Sequence, residues 1–559
     1  MNRPDTEVLA SWGPSNTWTI GWHLADRAAH LPDRPFLAIG TDPADTFRQA
    51  HEHATRLASR LAGTGIRPGD FVLVMAPTTK ATVYGWFALS LLGAVDVPLN
   101  PAYRGQTLVH GVNLPAARVL LADSAALHRL YEVAARLHTL QTVVLIDDSP
   151  APAPPPEARF QVVRLADLPE HPYSPATPRH SDLSTVLYTS GTTGPAKGVM
   201  MTHAQTHTIA RECIEGLRIT GEDVFYCFHP LFHMAGRFGA VYSALVAGCP
   251  VVLDPVFDPA TWIDRIRACN ATVSIAHGPM IEMIHRQPRR PDDADNPLRA
   301  LLAAPLPAAI GADFERRFAV RALETWGMTE VTACCWRPYD SELRPGSAGR
   351  PRDDLVEIAI VDPETDEVLP PGQVGEITVR PRHPWIIMQG YFGMPEQTVR
   401  AWRNLRFHSG DAGYLDADGH LYFVDRLGDR IRRKAENISS YDIEYAAATY
   451  PGVLECAAVG VPASHSEDEV KLYLRCSDNS AVDLRDLFTH LVANLPHSMV
   501  PRYIELVDEL PRTPTDKIRK QALRERGVTA TTWDYKAAGL SIRQISQQLE
   551  SASPREGTA

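Results

Sequence analysis

A short run in the first half of the chain restricts its fold and chemistry more than any other feature. It extends from Tyr188 to Val199, reads YTSGTTGPAKGV and follows an apolar, strand-like segment. Its glycines let the backbone turn sharply and approach an anion closely, and its hydroxyl side chains add hydrogen-bond donors. Lys197 adds a positive charge near the end of the run. Such a loop after a strand indicates a phosphate-binding site in an α/β protein.

The order of the residues distinguishes this loop from the common nucleotide loop GxxxxGK[ST]. No Ser or Thr follows Lys197, and the hydroxyl side chains come first. A flexible Ser/Gly turn is the plain alternative, but it does not account for an ordered series of hydroxyls, glycines and one lysine.

Size and composition predict a globular protein of two or more domains. The chain has 559 residues, more than one domain usually holds. Its 66 acidic side chains outnumber its 55 basic ones, which argues against a nucleic-acid partner. Helical periods alternate with short β-branched runs such as Val356–Val361. The pattern predicts an α/β fold with mixed sheets flanked by helices.

A second unit is readable from Gly428 onward. We predict an N-terminal domain over residues 1–427, a small α+β domain over 428–535 and a polar tail over 536–559. The proline-rich segment 149–156 is typical of a surface connector.

The sequence pattern indicates neither an exported protein nor a membrane protein. The 8 cysteines form no CxxC pair, which favours reduced thiols. The N-terminus has no apolar leader, and polar residues interrupt the longest apolar stretch, Val83–Leu99. This stretch predicts a buried helix followed by a strand. We therefore expect a cytoplasmic protein without a membrane span.

Further segments lead to a family resemblance. The phosphate loop resembles the signature loop of the acyl-adenylate-forming (AMP-binding) superfamily, which includes acyl- and aryl-CoA ligases, nonribosomal adenylation domains and luciferases. Other motifs of that family are matched in order by Leu92–Pro101, Trp326–Glu330, Ser409–Asp411, Asp425–Arg426 and Arg512–Ile518. Segments 422–426 and 436–439 are most similar to the carnitine/crotonobetaine-CoA ligase type. The resemblance implies a large adenylate-forming domain followed by a small mobile one.

The resemblance also implies the reaction and the nucleotide site. The enzyme would use ATP and Mg²⁺ to convert an acid into an acyl-AMP, and CoA would then accept the acyl group. The β- and γ-phosphates would lie on the loop, at Thr189, Ser190, Gly191, Thr192, Thr193, Gly194 and Lys197. The adenine and the α-phosphate would lie against Ala304, Pro305, Glu324, Thr325, Trp326, Gly327 and Thr329.

Five single residues receive specific roles from the resemblance. Glu330 would bind Mg²⁺, which prefers few carboxylates and several waters. Asp411 and Arg426 would contact the ribose hydroxyls, and Lys517 would be the catalytic cation. Gly428 would be the hinge about which the small domain moves.

The acid-binding pocket is expected around one apolar segment. Phe232, His233 and Met234 would flank the substrate, with His233 as a gate beside its carboxylate. Arg237 is a candidate to pair with a second anionic group on the substrate. The segment has no aspartate of the kind that binds the ammonium group in amino-acid-adenylating relatives.

The acceptor stays open because the sequence departs from the family at one loop. Lys434 and Ala435 stand where family CoA ligases carry glycines along the pantetheine passage. One alternative is an enzyme that passes the activated group to an amine or another acceptor, including nitrite activation for diazotisation of an arylamine. A second alternative is a non-catalytic nucleotide-binding protein, which retention of Glu330, Asp411 and Lys517 disfavours. The acid and the choice between monomer and homodimer also stay open.

Overall fold

A computed structural model describes residues 5–149, 153–189, 196–427, 431–433, 436–438, 440–462, 468–477, 482–495, 497, 499–512 and 518–552. Several residues predicted to be functional lie outside these ranges: Ser190, Gly191, Thr192, Thr193, Gly194, Gly428 and Lys517. Lys434 and Ala435 also lie outside the described residues.

Helices are distributed along both halves of the described chain. The α-helices are Asp5–Ala10, Ile20–His30, Phe47–Ala62, Lys80–Leu91, Gly105–Asn113, Ser124–Glu132, His203–Leu217, Ser243–Ala247, Trp262–Ala268, Gly278–His285, Gly311–Phe318, Pro395–Ala401, Ser440–Ala448, Leu484–Asn494, Lys520–Arg526 and Ile542–Ala552. A π-helix spans Ala235–Tyr242, and 3₁₀ turns span Ser15–Thr17, Ala134–Arg136, Leu165–Asp167 and Arg403–Leu405.

Polar side chains begin several helices in the way that the sequence encodes. Thr46 and Gln49 form a reciprocal capping box at the start of Phe47–Ala62. Thr202 likewise accepts a hydrogen bond from the backbone N–H of Gln205. These contacts satisfy N–H groups that the first turn of a helix leaves without partners.

The larger of two main sheets is mostly parallel. Its strands, in spatial order, are Arg350–Pro351, Thr332–Trp336, Arg321–Met328, Ala300–Ala304, Val273–His277, Phe225–Cys227, Val251–Leu253, Pro35–Ile39 and Asp45–Thr46. The consecutive strands from Arg321–Met328 to Pro35–Ile39 run parallel, and antiparallel strands close both edges.

The second main sheet carries the strand before the phosphate loop. Its order is Gly390–Tyr391, Lys197–Thr202, Leu183–Thr189, Val95–Pro98, Phe71–Met75, Val119–Ala122, Thr142–Leu145 and Gln161–Arg164. The helix Lys80–Leu91 is apolar around most of its surface, and Thr82 to Leu91 are all buried. The predicted helix and strand within Val83–Leu99 are confirmed by Lys80–Leu91 and Val95–Pro98.

Three smaller sheets complete the described chain. An antiparallel sheet contains Val356–Val361, Gly375–Pro381, Phe407–Leu415 and Leu421–Arg426. Ile431–Arg433 pairs with Glu436–Ile438. The small C-terminal sheet has the order Val453–Pro462, Asp468–Cys476, Tyr503–Leu506 and Trp533–Asp534. The result is the predicted mixed α/β fold, with a large N-terminal and a small C-terminal domain.

The end of the chain differs from the expected polar tail. Residues 542–552 form a helix, and Ile545 is buried in the core of the small domain. Ile542 and Leu549 pack against the same core. These three residues follow the i, i+3, i+7 spacing of one helix face, so the helix buries an apolar stripe. The polar composition of the remaining positions concealed that stripe in the sequence.

Candidate active site

Three neighbouring parallel strands of the larger sheet bring together the residues predicted to flank the adenine. His277, the last residue of its strand, pairs with Ala304, and Ala303 pairs with Glu324. Ala304 and Pro305 therefore lie beside the end of Arg321–Met328, where Glu324 to Gly327 are located. The carboxyl ends of parallel strands form the usual ligand-binding edge of open α/β sheets.

The Trp-Gly-Met-Thr-Glu segment requires its glycine for steric reasons. A Cβ atom on Gly327 would lie 1.9 Å from the carbonyl oxygen of Thr332 on the next strand. The strand register also shifts between Trp326 and Met328. Thr325 donates a hydrogen bond from Oγ1 to the carbonyl of Cys335 at 2.6 Å, which fixes the segment before the shift.

Asp411 connects two motifs that are distant in the sequence. Its Oδ2 accepts a hydrogen bond from Nε1 of Trp326 at 3.1 Å. Nε of Arg426 lies 3.0 Å from its Oδ1. Asp411 and Arg426 pair across adjacent antiparallel strands, Phe407–Leu415 and Leu421–Arg426. The two residues predicted to contact the ribose are thus brought together, and Asp411 is buried while Arg426 is partly exposed.

Glu330 is a buried carboxyl group between cationic residues. Its Oε1 accepts a hydrogen bond from the hydroxyl of Tyr391 at 3.0 Å. Burial raises the pKa of Glu330, whereas the Tyr391 hydrogen bond and the charges of Arg426 and Lys197 act to lower it. Nζ of Lys197 lies 4.6 Å from the centre of the Tyr391 ring. The charges of Lys197 and Arg426 therefore both act on the carboxyl group of Glu330.

Two residues of this site were not predicted from the sequence. Tyr391, on the short strand Gly390–Tyr391, supplies the hydrogen bond to Glu330. Gln205 is buried in the helix His203–Leu217 and donates from Nε2 to the carbonyls of Thr329 at 2.9 Å and Glu330 at 3.3 Å. The N–H of Met388 also donates to the Glu330 carbonyl, at 2.9 Å. These bonds fix the backbone that carries the predicted Thr-Glu pair.

The predicted acid-binding segment contacts the Thr-Glu pair directly. Phe232, His233 and Met234 are half-buried, and Oγ1 of Thr329 lies 3.6 Å from Sδ of Met234. Nδ1 of His233 accepts a hydrogen bond from the N–H of Ala235 at 3.2 Å. A neutral His233 ring therefore carries its proton on Nε2.

The position of Arg237 corrects one expectation. Its guanidinium is buried and forms an ion pair with Asp96 on the strand Val95–Pro98. It also donates from Nε to the Leu231 carbonyl at 2.7 Å and lies 4.5 Å from the centre of the Trp86 ring. Because these internal partners take up its charge, Arg237 is not available to pair with a second anionic group on the substrate.

The remaining predicted nucleotide contacts are described in part. Thr189 ends the strand Leu183–Thr189 and pairs with Lys197, so the loop between them begins and ends at adjacent points. The structure does not describe 190–195, the predicted hinge residue Gly428 or Lys517. Glu324 is buried, and burial raises the pKa of its carboxyl to about 8.

The donor set around Glu330 fits Mg²⁺ bound together with a nucleotide. One carboxylate, with the rest of the coordination supplied by water and phosphate, is the arrangement that Mg²⁺ prefers. Oε1 of Glu330 accepts the hydrogen bond from the Tyr391 hydroxyl. A carboxylate has about four lone pairs, so it can also bind a cation. A cation there would also favour the charged form that burial disfavours.

Comparison with known proteins assigns the family. Residues 24–392 match the AMP-binding enzyme family, and residues 442–517 match the AMP-binding enzyme C-terminal domain. The chain belongs to the AMP-binding enzyme family. It is an AMP-forming acid ligase of the acyl-CoA synthetase type, with ATP and Mg²⁺ as cofactors.

Individual relatives cover nearly the whole chain. A feruloyl-CoA synthase from Amycolatopsis sp. is 31% identical over 494 residues, or 86% of this chain and 94% of the relative. A crotonobetaine/carnitine–CoA ligase from Salmonella agona (strain SL483) is 29% identical over 485 residues, with 86% and 93% coverage. The structure of o-succinylbenzoate coenzyme A synthetase from Bacillus subtilis in complex with AMP superimposes with a TM-score of 0.75 at 25% identity, over 90% of this chain and 98% of that one. The predicted resemblance and fold class are confirmed.

Among the residues that the structure describes, none of the helices is long and apolar enough to cross a membrane.

Proposed function

We propose that this enzyme adenylates a carboxylic acid with ATP and then transfers the acyl group to CoA. In the first step a carboxylate oxygen attacks the α-phosphorus of ATP, and the bond to pyrophosphate breaks. In the second step the CoA sulfur attacks the acyl carbon, and AMP leaves. The observation that carries the proposal is the convergence of Lys197, Glu330, Asp411 and Arg426 from four separate segments on one site.

In the first step, different residues of the site bind the ribose, the phosphates and Mg²⁺. Asp411, held by Trp326 and Arg426, accepts hydrogen bonds from the ribose hydroxyls. Thr329 contacts the α-phosphate, and Lys197 neutralises charge on the phosphates beyond it. Bound at Glu330, Mg²⁺ supplies further charge neutralisation, which dominates catalysis of phosphoryl chemistry.

The acid is bound on the other side of Thr329. The contact between Thr329 and Met234 places the acid-binding segment next to the α-phosphate position. His233, with its proton on Nε2, donates a hydrogen bond to the substrate carboxylate and orients it for attack.

Domain movement separates the two steps in this proposal. Lys517 approaches the bridging oxygens during adenylation and withdraws when the small domain rotates about Gly428. We also propose that the N-terminal domain ends at residue 427 and that the small domain begins at residue 428. In the structure, Asp425 accepts hydrogen bonds from the backbone N–H of Ser440 at 2.9 Å and from its hydroxyl at 2.6 Å. The helix Ser440–Ala448 of the small domain is thus bound just before the proposed hinge.

The acceptor is tested by product analysis. Purified protein is incubated with Mg-ATP and a panel of aliphatic, betaine-like, aryl and cinnamyl acids, plus nitrite with an aminoarene, with and without CoA. An acyl-CoA that forms only when CoA is present is the expected result. The variant Lys517→Ala should lose adenylation by about 100-fold or more, whereas Lys536→Ala, which alters an exposed lysine, should retain it.

A different product would favour another acceptor. Lys434 and Ala435, in place of the family's glycines, are the sequence feature that favours an amine or nitrite route. AMP release that is indifferent to CoA, with an amide or diazo product, would establish that route. ATP binding without AMP formation from any acid would favour a non-catalytic nucleotide-binding protein.

Two finer expectations accompany the proposal. We propose that the protein is cytoplasmic; each of its 8 cysteines is present as a thiol and not in a disulfide. A homodimer is the state we would test against a monomer, by light scattering.

A further inference from the structure

The helix His203–Leu217 packs along the hairpin that carries the Thr-Glu pair. Near its start, Gln205 donates to the two carbonyls of that pair. About two helical turns further along, Glu212 bonds to the strand that follows the pair. A Cβ atom on Gly216, one turn beyond Glu212, would lie 2.4 Å from the ring of Trp336 at the end of that strand. One face of the helix therefore lies against the hairpin along its length.

The turn that carries the Thr-Glu pair closes between Met328 and Thr332. These two residues pair across the strands, and the N–H of Val331 donates to the Met328 carbonyl at 3.1 Å. Thr332 has a φ of 70°, in the left-handed region that a β-branched residue rarely adopts. The strand therefore begins from an unfavourable backbone conformation, which surrounding contacts must maintain.

Glu212 supplies such contacts on both sides of the Thr332 peptide. Its Oε1 accepts a hydrogen bond from Oγ1 of Thr332 at 3.1 Å, and its Oε2 accepts one from the backbone N–H of Ala333 at 3.0 Å. The side chains of Glu212 and Thr332 are both buried. Because both oxygens of this buried carboxyl group bond to the hairpin, Glu212 acts through the hairpin and not on a bound ligand.

We propose that Glu212 is a positioning residue for adenylation, which maintains the turn so that Glu330 and Thr329 are held where Mg²⁺ and the α-phosphate bind. This inference rests on the proposed function, which gives Thr329 and Glu330 those roles. Gln205 holds the turn by its carbonyls, and Glu212 holds it by the strand that follows. A misplacement of about 1 Å can reduce a rate about 100-fold, so a side chain that never meets the substrate can control the reaction.

Two substitutions of Glu212 separate hydrogen bonding from packing. Burial raises the pKa of Glu212 to about 8, so the carboxyl group is mostly uncharged at neutral pH. A carboxylic acid and the amide of glutamine each offer a carbonyl acceptor and a donor, and the Thr332 hydroxyl can donate or accept. Leucine is similar in size and offers neither. Glu212→Gln should therefore preserve the turn, and Glu212→Leu should release it.

Nucleotide binding tests the inference independently of turnover. Dissociation constants for α,β-methylene-ATP are measured by calorimetry with Mg²⁺ and with EDTA, and the ratio of the two affinities, the Mg²⁺ ratio, reports metal binding at the site. We expect Glu330→Gln to bring the Mg²⁺ ratio close to one. Glu212→Leu should reduce it about 10-fold with little change in the affinity in EDTA, and Glu212→Gln should keep the wild-type value. A role in stability alone would weaken binding equally in both conditions.

ATP–pyrophosphate exchange supplies the corresponding rates. With an acid that supports exchange, Glu212→Leu should lower kcat about 10- to 100-fold with little change in KM for the acid. Glu215→Leu is the matched control, because Glu215 lies on the same helix but bonds to Trp12 and Arg352. The Mg²⁺ ratio and kcat of this control should match those of the wild-type protein.

A milder variant decides the result if thermal melts show that Glu212→Leu has lost its fold. Thr332→Val removes the hydroxyl that Glu212 contacts and leaves the Ala333 contact in place. It should lower the Mg²⁺ ratio and kcat in the same direction. Where both variants fold, the losses in their double variant should not be additive, because each substitution breaks the same contact.

The two proposals fail in different ways. A wild-type Mg²⁺ ratio close to one, an unchanged ratio and kcat in the folded variant that decides the test, an equal loss in Glu215→Leu, or a Glu212→Gln variant as impaired as Glu212→Leu would overturn the role of Glu212. Absence of pyrophosphate exchange by the wild-type protein with every acid would overturn the proposed function instead. A Mg²⁺ ratio that falls in Glu212→Leu would then still establish Glu212 as a positioning residue of a metal-binding carboxylate.

Discussion

The indole N–H of Trp326 donates a hydrogen bond to Oδ2 of Asp411 over 3.1 Å, although the two residues are 85 positions apart. Nε of Arg426 lies 3.0 Å from the other carboxylate oxygen of Asp411, Oδ1. The carboxylate is therefore oriented before a nucleotide binds. Such preorganisation reduces the entropy lost on binding.

Trp326→Phe should weaken ATP binding without abolishing adenylation. The substitution keeps most of the ring and removes the N–H donor to a charged acceptor, a bond worth about 1.5–3 kcal/mol. We expect KM for ATP in the ATP–pyrophosphate exchange assay to rise about 10-fold, with kcat nearly unchanged. Trp336→Phe is the matched control, because Nε1 of Trp336 is buried without a partner among the described residues. An equal rise in KM in both variants would show that the smaller ring of phenylalanine, and not loss of the hydrogen bond, is responsible.

The pH profile of adenylation should report on Glu330. Activity requires the carboxylate and falls as the pH decreases through its pKa, which burial raises. The hydrogen bond from Tyr391 lowers this pKa, so Tyr391→Phe should move the acidic limb of kcat/KM to higher pH. Excess Mg²⁺ should move the limb back to lower pH, because a cation favours the charged form. Tyr414→Phe serves as the control, and a limb that does not respond to Mg²⁺ would argue against Glu330 as the metal ligand.

The ion pair between Arg237 and Asp96 should contribute to stability and not to recognition of the acid. Both side chains are almost fully buried. Arg237→Met leaves the Asp96 carboxylate without its charged partner and should cost about 3–5 kcal/mol in the free energy of unfolding by urea. The double variant Arg237→Met/Asp96→Leu should recover much of this loss. Selective loss of affinity for dicarboxylic acids at unchanged stability would restore Arg237 as a substrate ligand.

The loop containing Lys434 and Ala435 should limit the thiol step. Replacing both residues with glycine removes side chains from the proposed pantetheine passage. We expect transfer from a supplied acyl-AMP to CoA to accelerate about 10-fold, the size of a 1.4 kcal/mol change in barrier. Pyrophosphate release in the absence of CoA is the internal control and should not change. An unaltered rate of thioester formation would show that these positions do not restrict CoA.

The sequence by itself determined the family and the two-domain α/β fold, and it predicted the residues of the nucleotide site. The reason is local: glycines, hydroxyls and a lysine in a fixed order specify how a short backbone segment turns and what it can bind. Gly327 shows this most directly, since the neighbouring strand leaves no room for a Cβ atom there. The motif order then fixed which segments must meet.

Only the tertiary structure decided the partners of individual side chains. Tyr391 meets Glu330, Arg237 meets Asp96, and His229 meets His277 across separate elements. The position of the helix Ile542–Ala552 was also decided by tertiary packing, because its apolar stripe is buried against the core of the small domain. Such contacts depend on strand register and on how sheets and helices pack, which no local pattern of residues encodes. The reaction was therefore readable from motifs, whereas the contacts of Glu330 and Arg237 became visible only once the chain was folded.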